Sequence, residues 1–174
     1  EGERSFPDVI FHPIVDAVKG VRPVEYVDVQ LDPLDSEALN ECAPYQALVY
    51  RMMDRIDALG SFNFNDRVRL FHNVLQYWRM VLDDLRPDIV LFSVIPHMIF
   101  DYMLYELCRQ RGVKTLMFES TPLRGLSFLM EEFDQPSPTQ KLFQQLETEG
   151  HENDVMLSGE MEAFIQSLKG DYKD

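Results

Sequence analysis

The sequence contains no glycine-rich phosphate loop of the dinucleotide or P-loop kind, no GxSxG elbow, no HExxH and no DxD. Hydride transfer, ATP hydrolysis and serine-hydrolase chemistry therefore lack their machinery in this segment. Basic residues are scarce: 16 Lys and Arg stand against 30 Asp and Glu, for a formal net charge of -14. Reading a phosphate backbone takes clustered Lys and Arg, and no such run exists, which argues against nucleic acid and an anionic membrane surface as partners. No apolar stretch approaches the roughly 20 residues that span a bilayer, so the chain is not expected to be membrane-spanning, and no signal peptide is visible. Cysteine is limited to Cys42 and Cys108, far apart and each within a helical apolar pattern. They read as buried free thiols of a reducing, cytoplasmic compartment, and their spacing makes no zinc site.

What is present is the composition of a globular protein, with 45% hydrophobic residues and 11% aromatics over 174 residues. That length suits one α/β domain and an appendage. The stretch from Pro87 to Thr121, PDIVLFSVIPHMIFDYMLYELCRQRGVKTLMFEST, organises the rest. Ile89 to Phe92 is too short for a core helix and reads as a strand opened by Pro87-Asp88. A helix follows, with Met98, Tyr102 and Tyr105 at three- and four-residue spacing, Arg109 and Arg111 in its last turn, and Gly112 as a left-handed cap. Val113 to Phe118 is a second strand. Strand, helix and strand with short joints make a βαβ unit with parallel strands.

Around that unit, Asp8 to His12 and Tyr26 to Leu31 read as two further strands, ended by Pro13 and Pro33. Ser36 is placed as the N-cap of a helix running into Pro44, which then opens a further helix to Gly60. Asn65 or Asp66 caps a long helix to Leu85, with a stripe of Val68, Phe71, Leu75, Trp78, Leu82 and Leu85. Residues 122–133 read as an ordered loop. Residues 135–174 form an acidic tail with two helical stretches, Thr139 to Glu149 and Ser158 to Leu168; from Glu131 onward there are 11 acidic residues and three lysines. The ending Asp171-Tyr172-Lys173-Asp174 matches half of a common epitope tag or is natural sequence, and the start without Met is what a fragment is expected to show. The expected architecture is a three-layer α/β domain over residues 1–134, with a mostly parallel sheet of about four strands wrapped by helices, plus the helical tail.

Ligands of open α/β sheets bind at the carboxyl ends of the strands. Ser93, His97 and the triplet Glu119-Ser120-Thr121 are placed there. His97 follows Pro96 at a strand-to-helix joint, where free N–H groups and the helix dipole favour a neutral imidazole suited to general base work; otherwise it caps the helix. Asp101, four residues on, either orients that imidazole or stabilises the helix dipole. Glu119, Ser120 and Thr121 offer a carboxylate and hydroxyls to sugar or phosphate, or else form a strand-end turn. Arg124, beside Gly125, is within reach of a phosphate. His12 and Asp16 repeat the His97/Asp101 spacing, as a second pair at the rim or as structure. Aromatic and methionine positions such as Tyr77 and Trp78 read as core, and Asp54-Arg55 as a solvated face or a buried pair.

The string PDIVLFSVIPH followed by FDYMLYELCRQRGVKTLMFEST resembles the amino-terminal Rossmann-like domain of bacterial and phage-borne glycosyltransferase-like proteins of capsular polysaccharide biosynthesis, as do the opening FPDVIFHPIVDAVKG and the MMDR and YW pairs. The resemblance covers residues 6 to 134 and implies the acceptor-facing half of a two-domain GT-B enzyme. It implies a nucleotide-sugar donor held mostly by a carboxyl-terminal domain, which does not follow residue 134. In that setting His97 is the base towards an acceptor hydroxyl or a donor to the leaving phosphate, Asp101 orients it, and Glu119 to Thr121 hold sugar hydroxyls. No metal and no cofactor is expected within the segment. The competing expectations are a non-catalytic α/β binding or assembly module, favoured by an exposed apolar patch, and a small metal hydrolase using His12, His97 and carboxylates.

Overall fold

The computed structural model of the chain describes residues 9–57, 59–121, 125–134, 136, 138–151 and 156–171. The chain divides into two compact units, Glu1–Phe133 and Asp134–Asp174. In the first unit the order is α1 (Ile14–Lys19), a 3-10 turn (Val24–Tyr26), α2 (Ser36–Ile56), α3 (Phe64–Leu85), β1 (Ile89–Phe92), α4 (Ile99–Arg111), β2 (Lys114–Ser120) and β3 (Ser127–Met130). The second unit holds α5 (Pro138–Glu149) and α6 (Gly159–Asp171), on which Leu142, Phe143 and Leu168 are exposed.

The sheet corrects the expected architecture. Among the described residues it has three strands in the order β1-β2-β3, with one parallel pair (Ile89 opposite Lys114, Phe92 opposite Met117) and one antiparallel pair (Met117 opposite Met130, Ser120 opposite Ser127). The four-stranded, mostly parallel, three-layer Rossmann-like arrangement is therefore not what these residues build. Helices cover one face: Phe92, Met117 and Met130 meet Tyr102, Met103 and Tyr105 of α4, which in turn pack on Tyr45, Val49 and Met53 of α2 and Phe71 and Leu75 of α3.

Each departure has a local cause. Residues 9–13 make no strand; the run Val9-Ile10-Phe11 lies between Pro7 and Pro13, neither of which can donate to a ladder. The alternation of residues 26–31 is overridden by Arg22, whose guanidinium takes the Tyr26 carbonyl at 3.0 Å and the Val29 carbonyl at 2.6 Å, acceptors that a sheet neighbour would otherwise have claimed. Tyr26 instead closes the 3-10 turn and is buried against Tyr77 and Val81. Residues 127–130, expected as loop, pair as β3, with Phe128 and Met130 on the helix-covered face and Ser127 and Leu129 on the other.

Pro44 does not divide α2. It sits on the exposed side while Ala38, Cys42, Tyr45, Val49 and Met53 form one buried stripe running past it. Burial of that stripe outweighs the lost backbone bond. The helix is capped by Asp35, which accepts from Ala38 N at 2.8 Å, and α3 by Asn63, which accepts from Asp66 N at 3.1 Å. In α4 the expected stop holds: Gly112 adopts φ 68°, and its N–H and that of Val113 bond the Arg109 and Cys108 carbonyls at 3.2 and 2.9 Å. Among the described residues no helix is long and apolar enough to cross a membrane. Both cysteines are free and buried, and burial pushes both thiols up, Cys108 to about 11.

Candidate functional site

Beyond the carboxyl end of β1 the chain turns through Ser93 to Met98 into α4, and a cavity of about 550 Å³ opens beside that turn. His12, Ser93, His97 and Asp101 all line it, together with Trp78 of α3 and Phe100 of α4. Three elements distant in sequence thus converge: the segment before α1, the middle of α3, and the β1–α4 joint.

His97 lies just outside α4, whose N-cap is Met98, and its side chain is exposed. Its ring Nδ1 lies 2.8 Å from the Ile95 carbonyl. A carbonyl only accepts, so Nδ1 carries the proton and Nε2 presents a lone pair in the neutral ring. The backbone at this residue is held from the other side: Arg55 Nη2 donates to the His97 carbonyl at 2.8 Å. Arg55 therefore pairs neither with Asp54 nor with solvent alone; Asp54 pairs with Arg67.

Asp101 takes the helix-stabilising role of the two expected. Its Oδ1 accepts from Met98 N at 2.7 Å, tying the first turn of α4. Burial raises its carboxyl above the ordinary 3.8, opposed by the N–H groups of Met98, His97 and Tyr102 and by the charge of the His97 imidazole. Its effect on His97 is electrostatic, since the ring's Nδ1 is committed to Ile95.

His12 has both ring nitrogens engaged. Nε2 donates to the Val21 carbonyl at 2.9 Å and Nδ1 accepts from the Tyr77 hydroxyl at 2.9 Å. It forms part of the cavity wall, and neither nitrogen is open to a metal, which removes it from the hydrolase arrangement. Among the described residues no three His, Cys, Asp or Glu side chains converge as a metal centre requires. Asp16 lies in α1 and is not part of the cavity lining.

The triplet after Phe118 does not reach this cavity. β2 continues through Ser120, with Glu119 opposite Phe128 and Ser120 opposite Ser127. Thr121 closes the hairpin, its hydroxyl donating to the Leu126 carbonyl at 2.9 Å. Glu119 shares the helix-covered face with Thr115 and Met117, and its Oε2 is buried with no hydrogen-bond partner among the described residues. Arg124 lies outside the described residues.

Trp78 and Arg55 are the members that sequence reasoning assigned elsewhere. Trp78 fits the helical stripe of α3, so its pattern is that of a core residue; the one signal for a separate role is that the chain has a single tryptophan. A second cavity, of about 340 Å³, lies along α3 and includes Tyr26, Gln76, Arg79 and Asp83. Its polar groups are held within the protein: Tyr26 donates to Asp84 at 3.0 Å, Gln76 to the Asp32 carbonyl at 2.9 Å, and Arg111 to Asp83 at 2.8 Å. The β1 cavity, with a free imidazole nitrogen and an exposed serine, is the better placed to act on a ligand.

No family model, curated protein or solved structure matches the chain.

Proposed function

We propose that the cavity at the end of β1 binds a saccharide, and that the chain is the acceptor-side part of an enzyme transferring sugar from a nucleotide-activated donor in surface polysaccharide biosynthesis. The observation that carries this reading is the gathering of Trp78, Ser93, His97 and Asp101 around one opening. Saccharides present apolar C–H faces and a rim of hydroxyls. An indole face with a few polar groups beside it complements that surface. The resemblance of residues 87–121 to glycosyltransferase-like proteins is a further support.

In the proposed reaction the lone pair on His97 Nε2 takes the proton of an acceptor hydroxyl as its oxygen attacks the anomeric carbon of the donor. The glycosidic bond forms, the bond to the nucleotide phosphate breaks, and the proton remains on the imidazole. Asp101 stabilises that imidazolium by its negative charge, and Arg55 and Ile95 position the ring. The donor nucleotide is assigned to a part of the enzyme outside this chain.

Calorimetric titration of the chain with maltotriose and with UDP-glucose tests the reading. Binding of the oligosaccharide that is lost in His97→Ala, with folding intact by circular dichroism, supports it. Equal binding by wild type and His97→Ala removes the imidazole from the site. In a complete enzyme the same substitution is expected to abolish turnover.

A further inference from the structure

The face of the sheet turned away from the helices is apolar and open. Ile89 is 51% exposed, Leu91 60%, Phe118 38% and Leu129 52%, and half-buried Leu116 lies between them. The register makes these one patch: Leu91 is opposite Leu116, and Phe118 opposite Leu129. A half-exposed side chain of this size offers roughly 100 Å², so the patch presents roughly 500 Å² of apolar surface, at the upper end for a monomer. Ile10, Val15 and Val24 are exposed too, but they lie in irregular or short segments, whereas this patch is on paired strands.

We propose that a second copy of this chain packs on this face, sheet against sheet, to form a two-fold dimer. It rests on the sheet and not on the saccharide reading, although Leu91, at one edge of the face, also lines the cavity beside β1. The charge distribution selects the partner. The chain carries 30 acidic residues, yet the strand residues of the open face, Ile89, Leu91, Lys114, Leu116, Phe118, Ser120, Ser127 and Leu129, include no acid; the carboxylate beside them is that of Glu131, just beyond β3. Its one cation, Lys114, is neutralised by Glu131 at 2.8 Å. Two copies with a net charge of -14 repel at most orientations, and this face is where they approach with the neighbouring carboxylate, Glu131, already paired to Lys114. The face is also self-complementary, as a two-fold interface must be. Two such patches bury roughly 1,000 Å² in total, which reaches the threshold for a specific interface. Sheets packed in this way lie about 10 Å apart with interdigitated side chains.

The test is the mass in solution of the full chain by light scattering and sedimentation, from low micromolar to about 100 μM. The proposal predicts twice the 20.4 kDa chain mass at the upper concentrations. It further predicts a monomer for Phe118→Lys/Leu129→Lys, where lysines from both copies are brought together. The variant Phe118→Thr/Leu129→Thr keeps strand propensity and guards against a folding defect; its dimer is expected at least tenfold weaker. Leu85→Lys, on an exposed leucine of α3 rather than of the sheet, leaves the dimer unchanged. A wild-type monomer throughout the range overturns the proposal, and so does a dimer that survives the threonine pair with unchanged affinity.

Discussion

The Tyr77 hydroxyl donates to Nδ1 of His12 at 2.9 Å, and the same ring donates through Nε2 to the Val21 carbonyl. This pair ties residues that precede α1 to the middle of α3, and so builds one wall of the cavity next to Trp78, whose ring lies 4.8 Å from that of Tyr77. Removing the hydroxyl in Tyr77→Phe leaves His12 Nδ1 without its donor. The expected loss is about 1 kcal/mol of stability, read from urea unfolding, with earlier proteolysis before α1. Unchanged stability and unchanged cleavage would show that the contact anchors nothing.

Buried tyrosines make the fold sensitive to alkali. Burial, then the neighbouring Tyr26 and Glu25, pushes Tyr77 up to about 12 from 10.0, and burial raises Tyr45, Tyr102, Tyr26 and Tyr50 as well. The folded state keeps protons that the unfolded chain has lost, so this contribution is complete below pH 10 and disappears as pH rises through the folded values. Tyr77 alone accounts for a loss on the order of 2 kcal/mol by pH 12. Urea midpoints measured from pH 9 to 11.5 should fall steadily, and the fall should be shallower in Tyr77→Phe.

Arg86 caps α3 at φ 43° and ψ 56°, a left-handed conformation that a side chain disfavours by roughly 1 kcal/mol. Its side chain contributes one bond, Nε to the Asp83 carbonyl at 3.2 Å. Arg86→Gly is expected to raise stability by about 0.5–1 kcal/mol, read from the thermal midpoint. A clear decrease would mean that the guanidinium matters more than the backbone.

The β1–α4–β2 unit was legible because strong local signals agree there: Pro87 ends one helix, Gly112 ends another, and two short apolar runs flank the helical stripe. Ser93, His97 and Asp101 were legible as neighbours of one rim for the same reason, since a strand-to-helix joint fixes where they stand. The apolar run of residues 9–11 conceals the effect of its flanking prolines, and the alternation of residues 26–31 says nothing about Arg22 folding back onto the Tyr26 and Val29 carbonyls. β3 was missed because four residues carry too little period to stand out beside Leu126. Trp78 and Arg55 reach the site through packing of helices far apart in sequence, which no spacing within one helix discloses.

Arg55 is exposed, so its replacement costs little stability, yet it fixes the carbonyl of His97. Arg55→Met is expected to shift the unfolding midpoint by less than about 0.5 kcal/mol while weakening saccharide binding several-fold. The His97 imidazole resonances in NMR should broaden or move in the same variant. Binding that is unaffected would limit Arg55 to a surface role.

The chain's single tryptophan lines the cavity beside β1 and reports on the proposed saccharide there. Trp78 emission should change saturably on titration with maltotriose or chitotriose up to about 10 mM, and the change should vanish in His97→Ala with the emission of the free protein preserved. Emission that stays flat for both sugars across that range, or that responds identically in His97→Ala, contradicts the account.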